Sequence, residues 1–412
     1  MGLGNFEDAL KLPLLAPIDT PDHQKTNVRL KHLARELTMN FSKKCCTALA
    51  IMASAAGSAQ VVAAPDIRVS GFGTLGYVTT DTDNAEFRSS LRQHKGATES
   101  NGDWGVDSRL GLQANATFND TFSAVAQGYI SRRDGDSSPD LEWLFLQADV
   151  LDGTSLRAGR MLVPTFFLSD FRHVGYAQHW LRTPVEVYGT FLNTSFDGLQ
   201  SVSRFSIGDY NATLQLSGGQ ATGNKKYFMI GERFSETDEQ SDSIYSANFS
   251  LQRGDWTGRL GYTHMRDVEI LSMGQVFHSG NDDFYSAGLQ YDNGSLLAMS
   301  EYIWRRWDAS GEQDGILDSE AFYLTAGYRL GNVMPYVTYS EFSPQGEGYP
   351  STLDTRRTTA LGARWDVARN FAVKAQVEEV SGGVGDQFLA DPIHQMRQPT
   401  TQVYSIALDF IF

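Results

Sequence analysis

The sequence predicts an all-β chain, folded as a transmembrane β-barrel of sixteen antiparallel strands. Three observations carry this expectation. Hydrophobic and polar residues alternate with a period of two through most of the chain. Very short connections alternate strictly with long ones. The last segment runs through alternating hydrophobic residues to a terminal aromatic, Phe412. Glycine (39), tyrosine (17) and phenylalanine (24) are abundant, the mean hydropathy is −0.31, and no apolar run long enough for a membrane helix occurs after residue 65. A helical membrane protein is thereby excluded. A barrel is not, because only alternate residues face lipid and each strand gives a weak signal of roughly ten residues.

The alternation is clearest from Trp104 to Phe118, where Val106, Leu110, Leu112, Ala114 and Ala116 share one phase and Asp107, Arg109, Gln113 and Asn115 the other. It recurs at Tyr245, Ala247, Phe249 and Leu251 and at Phe322, Leu324, Ala326 and Tyr328. Such a pattern marks strands with one apolar face. Strands are expected near 66–79, 104–118, 121–131, 141–150, 153–160, 194–206, 209–218, 241–252, 255–265, 283–293, 295–307, 319–331, 333–342, 357–367, 370–380 and 401–412.

A soluble sandwich alternates too, so the connections decide between them. Asn119-Asp120, Leu151-Asp152, Ile207-Gly208, Arg253-Gly254, Asn293-Gly294, Gly331-Asn332 and Ala368-Arg369 are two-residue links, several of them suited to tight hairpins. The loops between them are much longer. Sorted loops are the asymmetry of an outer-membrane barrel, with periplasmic turns and external loops. Phe118, Phe122, Trp256, Tyr291, Tyr328, Tyr336, Trp365 and Phe371 gather beside the turns, as an interfacial aromatic girdle would.

The N-terminal part reads differently. From Met39 a basic patch (Lys43, Lys44) precedes a small and apolar stretch from Cys45 that ends at Val61, Val62, Ala63 and Ala64. These are the three regions of a secretory signal, with cleavage expected after Ala63. Residues 1–38 read as an upstream start-site extension, 39–63 as the signal peptide and 64–412 as the barrel. Cys45 and Cys46 are the only cysteines, so the exported chain would hold no disulfide and no Cys-ligated metal. Removing the five acidic and seven basic residues of 1–63 takes the formal net charge from −15 to −17. That balance argues against a nucleic-acid partner. Acidic loops bridged by divalent cations to outer-membrane lipid and lipopolysaccharide are the expected surroundings.

Sixteen strands, a signal peptide, terminal Phe412 and a longest loop after the fifth strand together resemble the general diffusion porins of Gram-negative bacteria, over essentially residues 65–412. The resemblance implies a homotrimer and a third external loop folded into the lumen. Here that loop is the insertion from Arg160 to about Asn193, with Ser169-Asp170, Val174-Gly175-Tyr176, Trp180, Arg182, Pro184 and Glu186-Val187-Tyr188. It lacks the Pro-Glu-Phe-Gly-Gly run of enteric porins. The closing segment, with Tyr404, Phe410 and Phe412 on one face, resembles the C-terminal signal read by the outer-membrane assembly machinery.

A barrel of this size leaves an aqueous channel once loops partly fill it. Alternation turns Arg68, Arg109, Arg157, Arg259, Arg329, Arg364 and Lys374 inward, while Asp170, Glu186 and Asp197 lie on or beside the third loop. Of these, Arg68, Arg109, Arg157, Asp170, Glu186 and Asp197 are the candidate constriction residues. Opposed charges there would set up a transverse field favouring hydrated polar solutes. A wall salt bridge is the competing role for each of them. Three functions are compatible with these residues: passive diffusion, an anion-selective channel using the inward arginines, and a plugged barrel acting as adhesin or anchor.

Enzymatic motifs are lacking. None of His94, His173, His179, His264, His278 and His394 sits in a recognised catalytic pattern. His173 and His179, six apart, are better explained by polar loop composition than as metal ligands. The stretch Asp134, Asp136, Ser138, Asp140 has Pro139 where a calcium loop needs Gly and Phe145 where it needs Glu. No cofactor, metal or catalytic residue is expected.

Overall fold

The computed structural model describes residues 64–412 except 134–136, 191–194, 222–223, 231–232, 273–274, 312–313, 316, 347–354, 383–386 and 391–399, and of 224–230, 233–238, 272, 275, 277 and 390 the backbone alone. The segment expected to be a signal peptide, with its cysteines and expected cleavage point, and Asp134, Asp136 and His394 lie outside the described residues.

Sixteen strands form the wall: β1 (Asp66–Thr80), β2 (Arg109–Thr117), β3 (Phe122–Arg132), β4 (Ser137–Leu151), β5 (Thr154–Leu162), β6 (Ser195–Ile207), β7 (Tyr210–Ala221), β8 (Arg233–Arg253), β9 (Trp256–Ser272), β10 (Gln275–Asp292), β11 (Leu296–Asp308), β12 (Ser319–Tyr328), β13 (Val333–Pro344), β14 (Arg356–Ala368), β15 (Phe371–Ser381) and β16 (Thr401–Ile411). Each pairs antiparallel with its neighbours in sequence, and β1 pairs with both β2 and β16, so the sheet closes on itself without an edge. Three further short strands, Ala85–Phe87, Asn224–Ile230 and Phe388–Ala390, belong to the long connections.

The short turns are where they were expected, though those at 152–153, 208–209, 254–255 and 369–370 fall one residue later and those at 118–121, 293–295 and 329–332 are longer than two residues. Gly208 and Asn370 take φ of 57° and 76°, the left-handed region that a two-residue hairpin demands and that Gly and Asn tolerate. Asn119 Oδ1 accepts the backbone N–H groups of Thr121 and Phe122 at 2.9 and 2.8 Å, fastening the turn after β2.

Strand β2 starts at Arg109, not Trp104: Trp104 leans on Tyr77 at 5.0 Å, and Val106 is buried instead of facing outward. The chain from 81 to 108 has folded over the mouth. There Phe87 meets Phe388 edge-on at 5.5 Å, above the inward-facing Val78, Val380 and Val403. Strands β8, β9 and β10 run longer than the alternation indicated and extend beyond it as tall hairpins.

The outer face is apolar. Leu112, Leu144, Leu199, Leu260, Leu289, Leu324 and Leu361 are all exposed. Exposed Phe118, Phe122, Trp256, Tyr328, Trp365 and Phe371 follow the rim of short turns as expected. Tyr336 departs from that expectation: it lies one position out of phase with exposed Val337 and points into the lumen, where its hydroxyl donates to Gln376 Oε1 at 2.7 Å. A second aromatic row, Tyr262, Tyr285 and Trp304, crosses β9 to β11 near the long-loop end, with centroids 5.0 and 5.5 Å apart. Among the described residues the outward positions of β2 to β6 have no counterpart at that level; Leu110, Ile130 and Leu141 stand there.

At the seam, Phe412 exchanges both backbone hydrogen bonds with Gly71, at 2.8 and 3.0 Å. The Phe412 and Phe410 rings lie where a Cβ on Gly71 or Gly73 would stand, 2.2 and 2.4 Å from it. Glycines on the first strand thus seat the aromatics of the last.

Candidate functional site: the lumen and its inserted loop

Between β5 and β6 the chain turns inward, as the third long loop was expected to. It is fastened at buried polar points, because a backbone leaving the sheet inside a barrel must find other partners for its N–H and C=O groups. Near its start, the Pro164 carbonyl accepts from the Arg259 guanidinium at 2.5 Å, Ser286 Oγ donates to the Thr165 carbonyl at 2.9 Å, and Glu301 accepts the Phe167 N–H at 2.8 Å. Glu301 also accepts the hydroxyls of Tyr188 and Tyr323, at 2.6 and 3.0 Å.

Further along, Lys374 is fully buried. Its ammonium donates to the carbonyls of Gly175 and Trp180 and lies 2.8 Å from Asp409 Oδ2, while Thr74 donates to Asp409 Oδ1 at 2.5 Å. Arg364 donates to the Tyr176 and Gln178 carbonyls, both at 2.7 Å. Trp180 Nε1 reaches the hydroxyls of Thr325 and Thr338 at 2.9 and 3.0 Å.

Arg182 forks onto Asp107 at 2.6 and 3.0 Å, pairs with Glu378 and lies over the Phe87 ring at 4.7 Å. Burial opposes its charge, but Asp107 and Glu378 outweigh burial and raise its pKa further above the ordinary arginine value. Around these polar points lies an apolar cluster that includes Phe166, Trp180, Tyr188, Phe284, Met299 and Tyr323.

Glu186 was expected in the constriction. The structure corrects this: on the single helical turn Val185–Tyr188 it is buried against the wall, accepting from Ser340 Oγ and Thr358 Oγ1 at 2.7 Å each and from Arg356 Nε and Gln387 Nε2 at 3.1 Å each. Four donors saturate its carboxylate, so it is a fastening and does not face solute.

Asp197 is corrected too. It shares the phase of Leu199, which is exposed on the outer face, and forks with Arg160 at 2.7 and 2.8 Å outside the lumen. Arg68 does have inward phase, but it stands on the rim beside the β2–β3 turn, with an 81% exposed side chain paired to Asp66 at 2.9 Å. Alternation gave its face correctly and its height not at all.

Arg109, Arg157 and Asp170 remain on the lumen side. Arg157 lies over the Phe145 ring at 5.0 Å and donates to Gln147 and Gln200 at 2.9 and 3.1 Å. Asp170, on the short helical turn Ser169–Phe171, is within electrostatic reach of Arg157 and Arg259 and forms no direct ion pair among the described residues. The inward faces of β2 to β7 are otherwise rich in amides: Gln113 with Asn115 at 3.0 Å, Gln147, and Gln200 with Ser217 at 3.1 Å, beside exposed Arg204.

The loop also carries residues that the sequence reading left out of the site. Arg172 donates to the Tyr188 carbonyl at 3.2 Å, and burial lowers its pKa. His173 stacks on Tyr129 at 4.3 Å, with Nε2 3.2 Å from Glu142 Oε1. Burial, then the neighbouring Arg172 and Arg109, hold it well below the usual histidine range and therefore neutral. His179 is brought down to about 4 by burial and by Arg329 and Arg364. A signal for Arg172 existed: it directly follows the Ser169-Asp170-Phe171 turn on an insertion already expected to be inside.

No group of three or more His, Cys, Asp or Glu able to hold a metal occurs among the described residues. His264 Nδ1 is 2.8 Å from Asp283 Oδ1, the nearest approach to a catalytic dyad, yet Tyr262 also donates to that oxygen and no described Ser or Thr hydroxyl bonds to His264.

Protein-family models give no match to this chain, and neither do curated proteins. Solved structures do. OmpF of Salmonella typhi superposes with a TM-score of 0.55 at 10% identity, over 85% of this chain and 98% of that one. The anion-selective porin from Comamonas acidovorans gives 0.52 at 12% identity, over 84% and 100%. OmpT of Vibrio cholerae, folded in vitro and in its trimer form, gives 0.52 at 12% identity, over 85% and 100%. The likeness is one of fold: a closed, sixteen-stranded antiparallel barrel.

Proposed function

We propose that this chain is an outer-membrane porin of the general diffusion type, forming a water-filled passage for small hydrophilic solutes and ions without energy input, cofactor or catalysis. One observation carries the reading. The inserted loop is fixed to the wall by buried charges, while Arg109, Arg157, Arg204 and a row of amides on β2 to β7 keep the opposite wall polar, with Asp170 within electrostatic reach of Arg157. Wall guanidiniums facing a loop carboxylate give the transverse field that favours hydrated solutes over apolar ones.

The apolar cluster inside the lumen favours a second reading, a barrel closed by its loop and serving as adhesin or anchor. Planar-bilayer recording of the purified protein separates the two. Stable conductance steps support the channel, and their absence from correctly folded protein leaves the closed barrel.

The outer face supports a homotrimer whose copies meet over β2 to β6. That face lacks the aromatic row of β9 to β11 and carries the Arg160–Asp197 pair, which would be costly against lipid and is cheaper against protein. OmpT is described as a trimer form. Outer-membrane lipid and lipopolysaccharide would then surround the remaining, aromatic-rich wall. Tyr404, Phe410 and Phe412 would be read by the assembly machinery before the seam closes. Export with a cleaved signal peptide belongs to the same proposal.

A further inference from the structure

Where the segment 89–93, the upper ends of β2 and β3 and the inserted loop meet, they form a partly open pocket of about 120 Å³. Six arginines line it: Arg92, Arg109, Arg132, Arg133, Arg172 and Arg182. Asp107 is the single carboxylate among the lining residues. Part of this charge is cancelled from behind. Arg132 pairs with Asp103 at 2.6 Å, Arg133 with Asp140, and Arg182 with Asp107 and Glu378.

Arg109 and Arg172 are different. Neither forms an ion pair with a described carboxylate, and Arg109 Nε is buried without a hydrogen-bond acceptor. Glu142 lies behind them, but its carboxylate accepts from Gln127 at 2.7 Å and faces His173 at 3.2 Å. Two guanidiniums beside one another therefore share a single buried carboxylate, Glu142, within electrostatic reach and have no described carboxylate in direct contact. The lining also holds the hydroxyls of Ser89, Ser90 and Ser131. Guanidiniums supply directed pairs of N–H donors, and hydroxyls add single ones, which together suit an oxyanion.

We infer that this cavity is a binding station for a compact, multiply charged oxyanion of the phosphate type, held chiefly by Arg109 and Arg172. Its lining sets the class. The space is ample for several waters or a bare oxyanion, and the clustered guanidiniums set the charge of what it takes. The station rests on the channel reading for its role in transit; binding itself does not.

The test uses the whole purified barrel in a planar bilayer bathed in chloride, with inorganic phosphate added in steps and succinate in a parallel arm. Phosphate is expected to lower the chloride current saturably. Arg172→Gln and Arg109→Gln should each move the half-effect concentration at least tenfold upward, whereas Arg306→Gln on the outer face should leave it in place. Conducting channels with no saturable phosphate effect would overturn the station and leave the channel standing. If no conductance occurs, the channel reading fails, and equilibrium dialysis with labelled phosphate decides the station: saturable binding lost in Arg172→Gln upholds it, and no binding overturns it. A response to succinate equal to that of phosphate would overturn the assignment to a compact oxyanion, and a much weaker one upholds it.

Discussion

Replacing Glu186 with alanine tests whether the inserted loop is held by discrete buried fastenings. The carboxylate accepts from Ser340, Thr358, Arg356 and Gln387, and both Glu186 and Arg356 are almost wholly buried. Breaking a buried ion pair by removing one partner costs about 3–5 kcal/mol. The barrel wall does not depend on this contact, since its sixteen strands close through their own ladder. The cost should therefore fall on the docked state of the helical turn Val185–Tyr188. At about 1.4 kcal/mol per factor of ten, the undocked population rises by between two and four powers of ten. Hydrogen exchange followed by mass spectrometry over residues 180–189 reads this directly, because local opening sets the exchange rate. Glu186→Gln preserves shape and loses only charge, so it should show a smaller acceleration, corresponding to about 1.5–3 kcal/mol for hydrogen bonds to a charged group. Exchange in the alanine variant within threefold of the wild type would refute the argument.

Acid should loosen the same loop. His179 has an ordinary value near 6.5 when released and about 4 when docked. The released form therefore binds more protons between these values, and docking is fully favoured above about pH 6.5 and weakens as pH falls toward 4. The loss at pH 5 is about 2 kcal/mol. Exchange over 174–182 at pH 8 and pH 5, corrected for intrinsic rates, checks the sign, and His179→Gln should flatten the difference. Gly175→Val should undock the segment by a steric route, since a Cβ there would sit 2.2 Å from Asp409 Oδ1 and 2.5 Å from Thr74 Oγ1; increased protease cleavage within 170–180 is the expected result. Gly71→Val must displace the Phe412 ring from the seam, and gel migration in detergent, with and without boiling, should show a lower temperature for loss of the folded band. A wild-type band whose mobility boiling does not change would count against the barrel itself.

The wall was legible because a barrel strand has one rule, period two, and a turn has another, Asn or Gly where φ must be positive. Even so, the alternation from Trp104 to Arg109 misled: Val106 keeps the apolar phase of β2 yet is buried with Phe87 in a segment folded over the mouth. Phase also carries no height. Arg68 and Arg109 have the same phase on neighbouring strands, but one is a rim residue paired with Asp66 and the other lines a partly open pocket. The loop was legible only as an insertion. Whether a loop carboxylate meets water or the wall depends on residues far away in sequence, and Glu186 is bound by groups 154 to 201 positions downstream. Asp197 was decidable in principle. Its phase matches Leu199 and Phe205, both outward, so its pairing with Arg160 followed from the strand once the start of β6 was fixed.

The partners of the inserted loop also impose an order in time. The loop leaves the wall at β5, early in the chain, yet most of its fastenings come from β9 to β16, and the group that holds Gly175 against Lys374 is completed by Asp409, three residues before the last. Contacts so distant in sequence form late, because the intervening chain must first be ordered. A barrel missing its final strand would lack one of the loop's anchors as well as its own closure. Docking of the loop is thus tied to closure of the barrel, because the strand that completes the wall also supplies one of the loop's anchors.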